Sequence, residues 1–254
     1  MSQQGNASEA PALCGVILLD KPVGPSSFAM VRQIRRLTGV ARVGHTGTLD
    51  PFASGLLTVC IGRPATRLVP RLMGGEKEYL ATLQLGVETE TQDPEGRVLR
   101  EAAVPALSAE DIETCLAPLR GRRLQQPPRY SALKHQGKPL YYYARRGIEV
   151  TKPPREIEIL ALENQGYDVG QRQLAIRVVC STGTYVRTLA AEIGHGLGCG
   201  AHLVALRRLR SGGLHVHEAL TETELAAADA PQLLAGRLLS VERVLAQLDA
   251  LDYS

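Results

Sequence analysis

Residues 44–57 read GHTGTLDPFASGLL, a glycine-rich segment that carries a single carboxylate ahead of a predicted buried strand. The acid, Asp50, directly precedes Pro51, and a residue before proline is disfavoured in the helical region. The backbone at Asp50 is therefore predicted to be extended, so that the carboxylate is displayed rather than wound into a helix. A capped surface turn without function is the simpler interpretation of such a segment, and other parts of the chain must decide between the two.

Three further motifs accompany this segment in a fixed order. They read GVILLDKP at 15–22, KEY at 77–79 and STGTYVRT at 181–188. Together with residues 44–57, they resemble the bacterial tRNA pseudouridine synthase B family, from about residue 15 to about residue 213. Four ordered matches at compatible spacing are far more specific than any one of them.

The composition is that of an ordinary globular protein, with 44 % apolar and 22 % charged residues among 254. No apolar run approaches the ~20 residues that span a bilayer, and the first dozen residues lack the pattern of a signal peptide. We therefore expect a cytoplasmic protein without a membrane partner. The five cysteines are scattered and form no Cys-x-x-Cys pair, which favours reduced, mostly buried thiols over disulfides or metal ligands.

Charge is distributed unevenly along the chain, although the net value is only +3. Residues 122–155 contain nine Lys or Arg and one acid, whereas residues 218–254 contain seven acids and two Arg. Half of the eight tyrosines also lie in the basic segment. Basic and aromatic side chains in one segment are typical of a surface that binds folded RNA. A basic, solvated excursion is the alternative.

Periodicity predicts both strands and helices. Strands are expected at 15–20, 56–61, 78–85, 156–162, 173–180 and 213–216. Helices are expected from a cap at Ser26 or Ser27 to an end at Gly39, at 108–119 from a Ser108–Asp111 box, at 139–146, at 184–195 capped by Thr184, and at 201–210. The first helix would carry Arg32, Arg35 and Arg36 on its open side, facing either solvent or phosphates. The class is α+β, and the resemblance implies the pseudouridine synthase fold, a mixed, mainly antiparallel sheet flanked by helices.

The domain organisation is predicted as one catalytic domain with additions. A disordered tail covers residues 1–12, and the catalytic domain covers 13–217, with the basic segment 122–155 as an RNA-binding insertion. Residues 218–254 form a helical C-terminal extension. Members of the family often continue into a small C-terminal RNA-binding module, and we expect no full module of that kind here.

Several enzyme classes lack their signatures. A zinc nucleobase deaminase needs His-x-Glu and Pro-Cys-x-x-Cys, and neither these nor a P-loop occur. The glycines at 194–200 follow a predicted helix, which indicates a helix end rather than a dinucleotide loop. His215 and His217 have no further ligands nearby in sequence. We therefore expect neither a metal nor a cofactor.

The resemblance assigns roles to individual residues. It implies that Asp50 is the catalytic aspartate, that Arg187 is its cationic partner and that Tyr79 lies against the target base. Further substrate-binding residues would be His45, in the gap left by a flipped base, with Tyr185, Leu206 and Lys21. The expected RNA-binding residues of the insertion are Arg122, Arg123, Arg129, Tyr130, Lys134, Lys138, Arg145 and Arg146.

The function implied by the resemblance is isomerisation of a uridine in the TΨC loop of tRNA, at conventional position 55, to pseudouridine. The base leaves the sugar, turns and is rejoined through C5, so no redox carrier or energy donor is required. The sequence leaves open whether Asp50 attacks the sugar, adds to the base or removes a ribose proton. The expected partner is the T-arm of tRNA, bound by a monomer. A non-catalytic tRNA-binding or folding module is the alternative, and an RNA methyltransferase is a weaker one.

Overall fold

The computed structural model describes residues 13–252, so the predicted tail at 1–12 lies outside the described residues. The strands are β1 Gly15–Lys21, β2 Val43–His45, β3 Ser54–Ile61, β4 Lys77–Leu85, β5 Val87–Thr89, β6 Val98–Glu101, β7 Gly121–Gln125, β8 Lys134–His135, β9 Lys138–Pro139, β10 Arg155–Asp168, β11 Gln173–Cys180, β12 Ala201–Ser211 and β13 Leu214–His215. Apolar runs bounded by glycine, proline or polar turns correspond to β1, β3, β4, β10 and β11, as predicted.

Seven of the described strands form one continuous sheet in the order β1-β3-β12-β4-β11-β10-β7. Two short strands add to it, with β2 paired to β3 and β13 paired to β12. The pairing of β12 with β3 is parallel, and the other pairings within this sheet are antiparallel. The predicted mixed, mainly antiparallel sheet is confirmed.

Helices cover both faces of the sheet. They are α1 Ser27–Thr38, α2 Gly62–Thr66, α3 Val69–Leu72, α4 Ala109–Leu116, α5 Leu140–Ala144, α6 Val186–Gly196, α7 Glu222–Ala226, α8 Ala230–Gly236 and α9 Val241–Asp252. Strand β1 shows why both faces need cover, because Ile17 and Leu19 belong to one buried cluster, whereas Val16 and Leu18 belong to the other. The larger cluster includes apolar residues of α1, α4 and α6.

The predicted ends of two helices are confirmed by their caps. The side chain of Ser26 accepts a hydrogen bond from the backbone of Ala29 at the start of α1, and Gly39 ends that helix in the left-handed conformation with φ 68°. Ser108 and Asp111 form the reciprocal capping box of α4. Local sequence therefore set these boundaries.

The prediction of a helix at 201–210 is wrong, because this segment is the central strand β12. Its residues, AHLVALRRLR, are mostly good helix formers. Pairing with β3 and β4 overrides that propensity, since both edges of β12 are hydrogen-bonded. Register shifts at 203–205 and 208–210 also interrupt the alternation that would have identified a strand.

The predicted cap of α6 is also wrong. Thr184 lies before the helix and donates from its hydroxyl to the carbonyl of Ser181 at 2.9 Å. The N-cap position is Tyr185, which has no side-chain cap. Instead, the amide side chain of Gln125 in β7 accepts from the Tyr185 nitrogen at 2.8 Å and donates to the Tyr185 oxygen at 3.1 Å.

The basic segment 122–155 contains strands as well as the predicted helix. Residues 122–125 belong to β7, which pairs with β10 at the edge of the sheet. The part that protrudes contains the small hairpin β8–β9 and the predicted helix, observed as α5. The C-terminal segment is helical, as predicted, and it packs against β1 through backbone hydrogen bonds from Leu220 and Leu239.

Candidate active site

The loop that carries Asp50 is held by α1 and by the segment after β1. Ser27 of α1 accepts from the nitrogen of Leu49 at 2.8 Å and donates to its oxygen at 2.9 Å. The nitrogen of Gly24 donates to the oxygen of Pro51 at 2.8 Å. The residues on either side of the acid are therefore fixed, which is how an extended turn can present one carboxylate in a defined direction.

Lys21 lies beneath this loop and not at its surface. Its side chain is fully buried, and its ammonium donates to the oxygens of Pro22 at 2.7 Å, Pro25 at 2.8 Å and Pro51 at 3.4 Å. Burial lowers the pKa of Lys21 to about 8, although the nearby Asp50 opposes the shift. These contacts favour a role in positioning the loop over direct contact with a substrate.

Arg187 meets Asp50 from the first turn of α6. Its Nε lies 3.1 Å from Oδ2 of Asp50. Its Nη1 donates to Oδ2 of Asp93 at 3.1 Å and to the oxygen of Thr91 at 2.9 Å, and its Nη2 donates to the oxygen of Tyr130 at 2.6 Å. An arginine at a helix start is ordinarily an exposed cation, but this side chain is 7 % exposed and fully engaged. The guanidinium is therefore fixed in place before any substrate binds.

The charge on Asp50 is set by opposing influences. Burial raises the pKa of its carboxyl most strongly, and the neighbouring Asp93 raises it as well. The cations of Arg187 and Lys21 lower it, but the net direction is upward. The side chain is 35 % exposed, so it remains accessible from the groove in front of it.

A groove of about 590 Å³ opens in front of this ion pair. Asp50, Arg187, Tyr79, Tyr185 and Leu206 all line it. The loop before β3, strands β4 and β12, and the start of α6 supply these residues, which are far apart in sequence. Burial raises the pKa of the Tyr79 and Tyr185 hydroxyls, which keeps both rings neutral. The groove thus combines a carboxylate with flat apolar walls, as suits a nucleobase and its sugar.

The structure does not place every predicted site residue in this groove. His45 lies in β2, one residue before the lining begins at Thr46. Burial, together with the cation of Arg208, lowers the pKa of His45. Its Nδ1 is buried and has no hydrogen-bond partner among the described residues. Lys21, as described above, is behind the Asp50 loop.

The predicted RNA-binding residues of the insertion fall into two groups. Arg123 points back onto the protein, where its guanidinium lies 3.0 Å from Glu192 of α6. The oxygen of Tyr130 supports Arg187. The remaining cations are exposed: Arg122, Arg129, Lys134, Lys138, Arg145 and Arg146. Two of them, Lys138 and Arg146, flank the ring of Tyr142 at 4.2 Å and 3.6 Å from its centroid.

Three residues that organise the site were missed by the sequence reasoning. Asp93, which is 4 % exposed, and Gln125, which is 2 % exposed, anchor Arg187 and the start of α6. Arg208 in β12 donates from Nε to the oxygen of Leu56 at 2.7 Å and from Nη2 to that of Gly47 at 3.1 Å. The one available signal was an Asp-Pro pair at 93–94 that repeats the pattern at 50–51.

The described part of the chain contains neither a cluster of metal-binding side chains nor a membrane-spanning helix. No group of three or more His, Cys, Asp or Glu side chains is arranged to hold a metal ion there. Among the helices of residues 13–252, none has both the length and the hydropathy to cross a bilayer.

Known proteins match this chain over most of its length. Residues 35–186 match the TruB family pseudouridylate synthase (N terminal domain), and residues 187–246 match the tRNA pseudouridylate synthase B C-terminal domain. The tRNA pseudouridine synthase B of Desulfotalea psychrophila is 56 % identical over 91 % of this chain and 95 % of its own length. That of Chromohalobacter salexigens is 45 % identical over 94 % of this chain and 76 % of its own.

A solved structure shares the fold. One chain in the crystal structure of a Cbf5-Nop10-Gar1 complex superimposes with a TM-score of 0.70 at 27 % identity. The match covers 92 % of the present chain but 62 % of the Cbf5 complex chain, so the present chain spans less than two thirds of that protein.

Proposed function

Because the chain belongs to the TruB family of pseudouridylate synthases, we propose that its groove isomerises a uridine of tRNA to pseudouridine, with Asp50 as the reacting carboxylate. Relatives at 45–56 % identity are named tRNA pseudouridine synthase B, which supports an isomerase that acts on tRNA. The observation that carries the assignment to this groove is the Asp50–Arg187 pair, at 3.1 Å, which lines one groove together with Tyr79 and Tyr185.

The reaction breaks the bond between N1 of uracil and C1′ of ribose and forms a bond between C5 and C1′. The proton on C5 is released, and N1 gains one, so atoms and electrons balance without a further reactant. An ionised carboxylate is the group required at such a centre, as it is in glycoside hydrolysis. Arg187 lowers the pKa of Asp50 and so favours its ionised form, against the effect of burial.

The target base must leave its stack before Asp50 can reach the sugar. Extrusion of a base costs a few kcal/mol, and stacking on an aromatic side chain returns about 1–3 kcal/mol. Tyr79 and Tyr185 line the groove on separate elements, β4 and the residue before α6. Two rings together are therefore enough to offset the cost of extrusion.

The RNA that presents this base is proposed to be the T-arm, with the target at conventional position 55. Support comes from the insertion, whose residues 131–133 form one wall of the groove. Exposed Lys138, Arg145 and Arg146 lie on the same segment and are suited to phosphates flanking a folded loop. Action as a monomer in the cytoplasm is part of the same proposal, and light scattering of the purified protein checks the monomer.

The decisive experiment uses unmodified tRNA that carries tritium at C5 of uridine. Tritium should be released by the purified protein without any added donor, and S-adenosylmethionine should make no difference. Asp50→Asn should release none and should still bind tRNA, because it removes one charge and keeps the shape. If Asp50→Asn released tritium at the normal rate, the carboxylate would have no part in the reaction.

A further inference from the structure

The exposed side of α1 carries three arginines without a carboxylate partner. Among the residues that the structure describes, no Asp or Glu oxygen lies within 4.0 Å of Arg32, Arg35 or Arg36. Two arginines of the central sheet are paired, by contrast: Arg177 lies 2.7 Å from Glu78, and Arg207 lies 2.7 Å from Asp20. The α1 surface therefore keeps its positive charge without ion pairs.

The surrounding sequence strengthens this charge. Residues 21–75 contain eight Lys or Arg and one acid, which is Asp50 itself. The groove between α1 and α7 has a volume of about 860 Å³, and its lining contains the three guanidinium groups and a single carboxylate, Glu222. Uncompensated like charges repel each other and destabilise the folded state, and a bound polyanion removes that repulsion. The local charge thus indicates a partner rich in phosphate.

An exposed aromatic ring lies among these cations. Phe28 is 55 % exposed, and the guanidinium carbons of Arg32 and Arg35 lie 5.6 Å and 5.8 Å from its ring centroid. Arg35 is also held by a hydrogen bond from Nη2 to the oxygen of Val43 at 2.9 Å. Guanidinium groups that are held beside an open ring can contact the backbone and the bases of RNA together.

The position of α1 relative to the groove in front of Asp50 limits which part of a bound RNA α1 can contact. Helix α1 follows β1 at one edge of the seven-stranded sheet, whereas the insertion follows β7 at the other edge. Six strand spacings of about 4.8 Å separate these edges, which makes about 29 Å. Ser27 of α1 is hydrogen-bonded to Leu49, so the helix is firmly joined to the Asp50 loop.

We propose that the exposed side of α1 binds the sugar-phosphate backbone of the substrate tRNA outside the T-arm. This inference rests on the proposed function and extends it. A T-arm that is held by the insertion at one edge presents its loop to the groove in front of Asp50. The opposite edge, on the far side of the Asp50 loop, is then free to meet the next part of the same molecule.

The test compares whole tRNA with an isolated T-arm stem-loop, both carrying tritium at C5 of uridine. The variant is Arg32→Gln with Arg36→Gln, which removes two exposed cations but leaves Arg35 and its bond to Val43. The matched control is Arg172→Gln with Arg243→Gln, which removes two exposed cations elsewhere. Dissociation constants are measured over a series of salt concentrations, together with single-turnover release of tritium.

The α1 variant should bind whole tRNA about tenfold more weakly at low salt. The slope of the logarithm of its affinity against the logarithm of salt concentration should be smaller in magnitude by about 1.4–1.8. Its affinity for the stem-loop and its rate of release from bound stem-loop should equal those of the unmodified protein. Unchanged affinity for tRNA, an equal loss for the stem-loop, or the same loss in the control would each overturn the inference. If the unmodified protein released no tritium from either RNA, the proposed function would fail instead.

Discussion

Each guanidinium nitrogen of Arg187 contacts an acceptor from a different part of the chain. Nε meets Asp50, Nη1 meets Asp93 and Thr91, and Nη2 meets Tyr130. Asp93 is itself fixed, since its Oδ1 accepts from the hydroxyl of Thr91 and from the nitrogen of Glu95. The orientation of Arg187, and with it the ionisation of Asp50, therefore depends on a second, more deeply buried carboxylate.

Substitutions of Arg187 and Asp93, whose charges act on Asp50, should shift the pH dependence of catalysis in opposite directions. Burial raises the pKa of Asp50, so the rate should fall, as pH is lowered, at a higher pH than for an exposed aspartate. Arg187→Gln removes a cation that lowers this pKa, so the fall should move to higher pH. Asp93→Asn removes an anion that raises it, so the fall should move to lower pH.

The measurement is single-turnover tritium release as a function of pH. Asp93→Asn should also slow the reaction roughly 10²-fold at its optimum, because Arg187 loses an anchor and small displacements at a reacting centre are costly. Asp168→Asn, which changes an exposed acid at the end of β10, should leave both the rate and the profile unchanged. Shifts of the same sign in both variants would contradict this electrostatic account.

At the scale of elements, the site depends on the junction of β3 with β12. Ser54 and Gly55 of β3 pair in parallel with Arg207 and Arg208 of β12. Gly55 has φ 98°, and a Cβ on it would overlap the backbone oxygen of Arg208 and lie 2.7 Å from its nitrogen. Glycine therefore permits both the backbone conformation and the close approach of the two strands.

Gly55→Ala should destabilise the protein more than an alanine at another glycine of similar backbone conformation. Gly137, in the turn between β8 and β9, has φ 81° and open space around it. Gly137→Ala should cost about 1–2 kcal/mol from conformation alone. Gly55→Ala should cost roughly 2 kcal/mol more, because the strands must separate. Urea unfolding of both variants checks this difference, and equal costs would show that the close approach is unimportant.

At the scale of the whole molecule, two basic surfaces follow the two edge strands of one sheet, α1 after β1 and the insertion after β7, and the insertion also lines the groove in front of Asp50. The insertion carries one surface and α1 carries the other. Because α1 and the Asp50 loop are hydrogen-bonded to each other, RNA bound at α1 would contact an element that also supports the reacting carboxylate.

Removal of two insertion cations should weaken binding of the stem-loop and of whole tRNA alike. The variant is Lys138→Gln with Arg146→Gln, which removes both charges that flank Tyr142. Each lost phosphate contact should reduce, by about 0.7–0.9, the magnitude of the slope of log affinity against log salt concentration. The comparison with Arg172→Gln and Arg243→Gln separates a local effect from one of net charge. If the variant bound the stem-loop with normal affinity, these insertion residues would have no part in T-arm binding.

The sequence by itself determined the local features of this protein. Caps at Ser26, Gly39 and Ser108, strands β1, β3, β4, β10 and β11, and the displayed acid at Asp50 all follow from nearby residues. Together, the four ordered motifs predicted the family, which the comparisons confirm. These features were readable because each depends on interactions within one turn or one strand.

Tertiary structure alone decided what lies around Asp50. Residues 201–210 have the composition of a helix, yet they form a central strand because two neighbouring strands supply its hydrogen bonds. Asp93, Gln125 and Arg208 act on the site through partners that lie 60 or more residues away in sequence, at Arg187, Tyr185 and Gly47. No local pattern records such pairings, because chain folding brings the two partners together.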